Sequence, residues 1–214
     1  HRFAEAEEVA ERAVAYDPAV PEYRALLAEV KLELADYEGA RPLFDSLAPF
    51  AARLSIAARL SRWAEINGET GKAYLLMRKA TERAAARPDL PQEQVAWFHF
   101  RLGDMEMRRG RLRRAEAEFR KGLERHPSDY RILAAMSRLA LVNGKPHEAI
   151  EFGELALATK VEPRTLWVLA EAYLAIGDTV RAAESVNAMD LTGSAQAQYA
   201  ADTDRARVTS GGYQ

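Results

Sequence analysis

The sequence of 214 residues contains no cysteine. This absence excludes disulfide bonds and thiolate chemistry, but it does not separate cytoplasmic from exported proteins. No apolar run approaches the ~20 residues that a membrane-spanning helix requires. Acidic and basic residues nearly balance at a formal net charge of −2, so the chain lacks the positive excess that favours nucleic acid as a partner.

Metal ligands and catalytic motifs are also scarce. The four histidines are His1, His99, His126 and His147. They have no metal-ligand spacing, and His147-Glu148 lacks the second histidine of a zincin helix. No glycine-rich loop follows a predicted strand, and neighbouring carboxylates such as Glu116 and Glu118 are typical of a polar helix face. We therefore expect no enzyme activity in this segment, no cofactor and no metal site.

What the sequence does contain is a repeat. A small residue, usually glycine, closes a helix-length stretch, and alanine follows five positions later. The five pairs are Ala35/Ala40, Gly68/Ala73, Gly110/Ala115, Gly144/Ala149 and Gly177/Ala182. A period of about 34 residues in an alanine-rich chain is typical of stacked helix pairs.

The clearest unit runs from Ala96 to Asp129. Its repeat positions 7, 8, 15, 20, 24, 27 and 32 hold Leu102, Gly103, Gly110, Ala115, Phe119, Gly122 and Pro127. This pattern resembles the tetratricopeptide repeat, and the likeness covers roughly residues 1 to 190. The resemblance implies an all-α solenoid of stacked antiparallel helix pairs that winds into a right-handed superhelix. Abundant alanine, and arginine in nearly all basic positions, suggest a GC-rich bacterial genome.

The repeat frame also predicts how the chain is divided. The predicted segments are the second helix of a truncated repeat at 1–20, repeats at 21–53, 54–87, 96–129, 130–162 and 163–190, an inter-repeat loop at 88–95, and a capping helix with a flexible tail at 191–214. Pro88 and Pro91 interrupt the helical pattern in the loop. The loop is either a tolerated surface insertion or a contact with a ligand or partner. Because the chain begins inside a repeat, we expect preceding repeats, a signal segment or both to be missing.

The same frame predicts a binding groove. In tetratricopeptide arrays the first helix of each repeat lines a concave surface through positions that share one helix face. Projected onto this sequence, those positions give the candidate groove residues Arg59, Arg62, Trp97, Phe100, Arg101, Asp104, Arg108, Arg131, Arg138, Arg164 and Trp167. Arginine binds carboxylates through two parallel hydrogen bonds, and aromatic rings anchor apolar side chains. We therefore expect the groove to bind a peptide or a partner-protein segment, and the arginines favour an acidic one.

An alternative interpretation of these arginines is structural. They would pair with Glu65, Asp104 and Glu171 on neighbouring helices and simply solvate the surface. The family members that clamp a C-terminal carboxylate use lysine and asparagine at set groove positions. Position 9 here holds Glu29, Arg62, Asp104, Arg138 and Glu171, so that specific function does not carry over.

Three functional hypotheses follow from the sequence. The first is a non-catalytic protein-interaction scaffold. The alternative is a regulatory or substrate-presenting arm of a larger multidomain enzyme or sensor. The third is self-association through the unpaired first helix, on a face formed by Phe3, Val9, Ala10 and Ala13.

Overall fold

The computed structural model describes residues 3–190, with the side chains of residues 4–189. These residues form eleven α-helices and one short 3₁₀-helix, and they contain no strand. The helices are α1 Phe3–Tyr16, α2 Pro21–Glu33, α3 Tyr37–Leu47, α4 Leu54–Ile66, α5 Thr70–Ala85, α6 Gln92–Arg108, α7 Leu112–Arg125, α8 Tyr130–Val142, α9 Pro146–Thr159, α10 Pro163–Ala175 and α11 Thr179–Asp190. The prediction of an all-α protein is confirmed for this part of the chain.

The helices form two compact units that divide between Leu90 and Pro91. In the first unit α2 pairs with α3 and α4 pairs with α5, while α1 contacts α2 and α4 contacts both α2 and α3. In the second unit the pairs are α6 with α7, α8 with α9, and α10 with α11. There α8 also contacts α6 and α10. The first helices of successive pairs therefore lie side by side within each unit.

The turn inside each helix pair has the same backbone conformation. Ala35, Gly68, Gly110, Gly144 and Gly177 have φ values of 60° to 81°, in the left-handed region. The amide of the following residue donates a hydrogen bond to a carbonyl five residues earlier, at 2.9 Å between Arg111 and Glu106 for example. This is the Schellman arrangement, which glycine adopts most readily because it has no Cβ. Ala35 is the only non-glycine residue with a positive φ among residues 3–190.

The alanine five positions later lies where the paired helices touch. All five of these alanines, Ala40, Ala73, Ala115, Ala149 and Ala182, have no exposed surface. A larger side chain would hold the helices apart, so the alanine permits the close approach.

The residue at repeat position 8 also lies at the contact between paired helices, and it is serine in two repeats and glycine in a third. The hydroxyls of Ser61 and Ser137 are buried and donate hydrogen bonds to the carbonyls of the contact alanines, at 2.8 Å and 2.6 Å. Gly103 takes this position in the third repeat. A Cβ there would lie 2.5 Å from the ring of Phe119, so glycine is what allows the ring to fill the gap.

Two details differ from the expectations from sequence, and one expectation lies outside the described residues. Residues 92–95, assigned to the inter-repeat loop from the period, form the first turn of α6, because the helix starts directly after Pro91. On α1, Val9 is exposed but Ala10 is fully buried, so Ala10 is not part of an accessible face, and self-association through this helix stays a prediction. The predicted capping helix and tail at 191–214 lie outside the described residues, as does the side chain of Phe3.

Candidate binding site

In the first unit the predicted groove arginines are paired with carboxylates of the preceding helix. The Arg59 Nε atom donates to Glu29 at 2.8 Å. Arg62 lies 2.6 Å from a Glu33 oxygen and 3.5 Å from a Glu29 oxygen. These two arginines thus pair with Glu29 and Glu33 on α2, as the structural interpretation expects of groove arginines on neighbouring helices.

The second unit contains a pocket on the face formed by α6, α8 and α10. Its volume is about 220 Å³. The lining residues are Phe100, Arg101, Asp104, Arg131, Ala134, Ala135, Arg138, Glu162, Arg164, Thr165 and Val168. Six of the predicted groove residues are thus brought together, with four arginines and two carboxylates around a small apolar wall.

Arg131 is held by the residue that caps its own helix. Asp129 accepts from the Arg131 backbone amide at 3.0 Å and from its guanidinium at 2.9 Å and 2.6 Å. Burial raises the pKa of Asp129, but the hydrogen bonds and charge of Arg131 outweigh it, so the net pKa is lowered. Asp129 is 1% exposed. The cation of Arg131 is therefore fixed and largely neutralised at the pocket edge.

Arg138 is also paired inside the pocket. Its Nη2 atom lies 2.9 Å from an oxygen of Asp104 on the neighbouring helix. The other oxygen of Asp104 lies 3.2 Å from Arg108 Nε. Asp104, which the structural interpretation named as a partner of a groove arginine, thus pairs with both Arg138 and Arg108.

Arg164 differs from these two arginines. It is exposed at the N-terminal end of α10, and it makes no hydrogen bond or ion pair with any residue in the described part of the chain. The nearby pocket carboxylate of Glu162 lies 3.0 Å from Lys160 Nζ. Arg164 is thus a pocket cation that forms no ion pair with any carboxylate of residues 4–189.

The remaining predicted residues of this unit lie outside the pocket lining. Trp97 packs edge-on against Phe98, with ring centroids 5.0 Å apart. Trp167 packs against the buried cluster that contains Leu166 and Val186. Arg108 reaches Asp104 from beyond the lining residues. Of the three predicted aromatic residues, Phe100 alone lines this pocket.

Comparison with known proteins decides the family. Residues 1–55 and 100–163 match the family model described as the tetratricopeptide repeat, which is more than half of the chain. The chain belongs to the tetratricopeptide repeat family. Proteins of this family are generally non-catalytic scaffolds that bind proteins or peptides. No curated protein matches the sequence.

Several solved structures share the fold of this tetratricopeptide repeat protein. BtubC from P. vanneervenii is 20% identical with a TM-score of 0.67, over 99% of this chain and 91% of that one. PilF of Pseudomonas aeruginosa is 16% identical with a TM-score of 0.70, over 92% and 88%. The Cut9–Hcn1 structure of the APC/C is 17% identical with a TM-score of 0.76, over 95% of this chain and 39% of that one. At these identities the likeness shows the fold alone, an α-solenoid of stacked helix pairs.

The residues predicted from the repeat frame do not include the whole pocket. Ala134, Ala135 and Val168 stand at groove positions 5 and 6, but the prediction rests on charged and aromatic residues alone. Thr165 and Glu162 lie outside the groove positions, at the start of α10 and just before it. Including every residue at positions 5 and 6, whatever its chemistry, identifies the apolar wall.

Neither a metal centre nor a membrane-spanning helix is found in the described part of this repeat protein. No group of three or more His, Asp or Glu side chains between residues 4 and 189 is arranged to hold a metal ion. No helix within residues 3–190 has the length and apolarity needed to cross a bilayer.

Proposed function

We propose that this repeat protein is an interaction scaffold whose second unit binds an acidic segment of a partner protein in the pocket between α6, α8 and α10. The observation that carries the proposal is Arg164, an exposed cation without a carboxylate partner among the described residues, at a pocket of about 220 Å³. The site is the arginine-rich part of the groove predicted from the sequence.

The chemistry of the lining supports a carboxylate ligand. Four arginines and two carboxylates give the pocket a formal excess of positive charge. The planar guanidinium of Arg164 can donate two parallel hydrogen bonds to one carboxylate. Phe100 and Val168 supply apolar contact for the methylene groups beside such a carboxylate. The pocket thus offers both a charged and an apolar contact to one acidic side chain or chain end.

The first unit does not offer the same chemistry. Arg59 and Arg62 are already bound to Glu29 and Glu33, so an acidic ligand would have to displace these carboxylates. A protein partner is supported by the structural neighbours as well. The Cut9–Hcn1 structure is a hetero-tetramer of the APC/C, in which a protein of this fold forms part of an assembly.

The test is fluorescence anisotropy with a labelled peptide of alternating glutamate and alanine, titrated with the full chain. A peptide with glutamine in place of glutamate reports on the need for charge. Amidation of the peptide C-terminus separates a terminal carboxylate from side-chain carboxylates. Affinity for the acidic peptide should fall as ionic strength rises from about 0.01 M to 0.15 M, because the Debye length shortens from about 30 Å to 8 Å.

The decisive variant is Arg164→Gln. A charged hydrogen bond contributes about 1.5 to 3 kcal/mol, so the affinity should fall at least about tenfold. The matched control is Arg113→Gln on α7, which removes another exposed arginine that has no hydrogen bond or ion pair in the described part of the chain. Equal affinities of the two variants for the acidic peptide would refute the pocket as the binding site.

A further inference from the structure

One carboxylate inside the pocket has the same chemistry as the proposed ligand. Asp104 projects from α6 and lines the pocket together with Arg138 of α8. We propose that Asp104 is an internal competitor, which occupies the guanidinium of Arg138 and weakens the binding of an acidic ligand. This inference rests on the proposed function. In it, Asp104 limits the number of arginines that are available to bind an acidic ligand.

The geometry of Asp104 is that of a bound carboxylate. One oxygen accepts from Arg138 Nη2 at 2.9 Å, and the other lies 3.2 Å from Arg108 Nε. The Asp104 side chain is 18% exposed and the Arg138 side chain is 22% exposed. Arg138 Nη2 also lies 3.5 Å from the sulfur of Met107. The Nη2 group of Arg138 is therefore used by the protein itself.

A ligand carboxylate must exchange with Asp104 to reach the Nη2 group of Arg138. The exchange replaces one guanidinium–carboxylate pair by another of the same kind, so little free energy is gained. It also leaves a displaced carboxylate beside the incoming one, and like charges at short distance repel. Arg164 needs no exchange. A ligand carboxylate therefore gains most of its binding from Arg164 and little from Arg138.

The first unit contains arginine–carboxylate pairs of the same kind. Repeat position 9 alternates in sign along the chain, and each arginine at this position pairs with the carboxylate of the preceding repeat, Arg62 with Glu29 and Arg138 with Asp104. On α4 of the first unit Arg59 is paired as well. The second unit differs because Arg164 adds a cation outside this set of pairs.

The test compares two substitutions that each remove one carboxylate from the pocket lining. Asp104→Asn should raise the affinity for the glutamate–alanine peptide by about fivefold or more, because it frees Arg138 and removes the repulsion. Glu162→Gln is the matched control. It changes the pocket charge equally, but Glu162 is paired with Lys160, which does not line the pocket. We expect a rise of about twofold or less for this control, on the scale of a screened surface charge.

A double-mutant cycle identifies the arginine that is released. Arg138→Gln in the wild-type background should change the affinity by about twofold or less, since Asp104 already holds the Nη2 group of Arg138. In the Asp104→Asn background the same substitution should remove most of the gain. Asp104→Ala serves as a second variant, and circular dichroism melting confirms that each protein is folded.

The outcomes separate this inference from the proposed function. An unchanged or lower affinity of Asp104→Asn overturns the competitor role while the Arg164 result stands. An equal rise for Glu162→Gln overturns it too, because net charge alone would explain the gain. A retained gain in the Asp104→Asn, Arg138→Gln double variant contradicts the release of Arg138. If Arg164→Gln has no effect on peptide affinity, the proposed function falls and the inference falls with it.

Discussion

Ala35 is the residue whose replacement tests the turn argument most directly. It lies in the turn that follows α2 and has φ 60°, a conformation that glycine adopts at the other four equivalent turns. Its side chain is exposed, so the substitution Ala35→Gly removes almost no packing. We therefore expect Ala35→Gly to stabilise the first unit.

The magnitude follows from two opposing terms. A non-glycine residue in the left-handed region costs about 1 to 2 kcal/mol. Glycine also lowers the free energy of unfolding by about 0.5 to 1 kcal/mol, because it makes the unfolded chain more flexible. The net stabilisation is about 0.5 to 1 kcal/mol. With a urea dependence of about 2 kcal/mol/M, the unfolding midpoint should rise by about 0.3 to 0.5 M.

The matched control is Ala86→Gly. Ala86 is also an exposed alanine at the end of a helix of the first unit, but its φ is −84°. The same substitution there should destabilise by about 0.5 to 1 kcal/mol, because only the entropy of the unfolded chain changes. Ala35 and Ala86 are both exposed alanines next to a helix end, but their φ angles have opposite signs. The two substitutions should therefore change the stability in opposite directions.

The assay follows the tryptophan of the first unit during urea unfolding. Trp63 stacks on Phe44 with ring centroids 4.8 Å apart, so its fluorescence reports on that unit. Trp97 and Trp167 are half-buried in the second unit and would be replaced by phenylalanine in all variants. A midpoint that falls or stays constant for Ala35→Gly, beside the expected fall for the control, would refute the assignment of strain to this turn.

Three further predictions concern packing and pH. Ser137→Ala should destabilise the second unit by about 1 kcal/mol through its lost buried hydrogen bond, while the exposed control Ser128→Ala should change the urea midpoint little. Gly103→Ala should cost about 1 to 3 kcal/mol by overpacking against Phe119; a urea midpoint equal to wild type would contradict the close approach. Glu118→Gln should destabilise at pH 7 but progressively less as the pH falls below about 4.5 in a series of urea titrations; a constant difference across pH would contradict the ion pairing.

The pH dependence of the last prediction has a specific cause. Burial raises the pKa of Glu118, but hydrogen bonds from His99 and Lys121 lower it by more, so the net pKa lies below the usual 4.5. The distances are 2.8 Å to His99 Nδ1 and 2.7 Å to Lys121 Nζ. A lowered folded-state pKa contributes stability above the unfolded value, and this stability is lost as the pH falls through the folded pKa. His99 is 5% exposed, so the pair lies inside the contact between α6 and α7.

The fold could be predicted from the sequence because its determinants recur. Each repeat carries its own turn residue and its own contact alanine, and both act through the nearest helices. Gly110 must adopt a positive φ, and Ala115 must be small, whatever the rest of the chain does. The period therefore predicts the helix pairs without reference to contacts between distant parts of the chain.

The candidate site was only partly predictable, because its chemistry depends on contacts between repeats. The sequence placed Arg62, Arg138 and Arg164 on equivalent faces of three first helices. It did not show that Glu33 and Asp104 reach the first two and that nothing among the described residues reaches the third. Side chains about 30 residues apart pair only if both extend far enough across the contact between their helices. The spacing of residues along the sequence does not specify this.

The sequence by itself determined the helices, the turns between them and the face on which the arginines stand, since these follow from local backbone preference and periodicity. Only the tertiary structure decided which arginines are neutralised and which one is left exposed at the pocket. The physical reason is that backbone conformation is set by neighbours in the chain, whereas the free energy of a charge is set by neighbours in space.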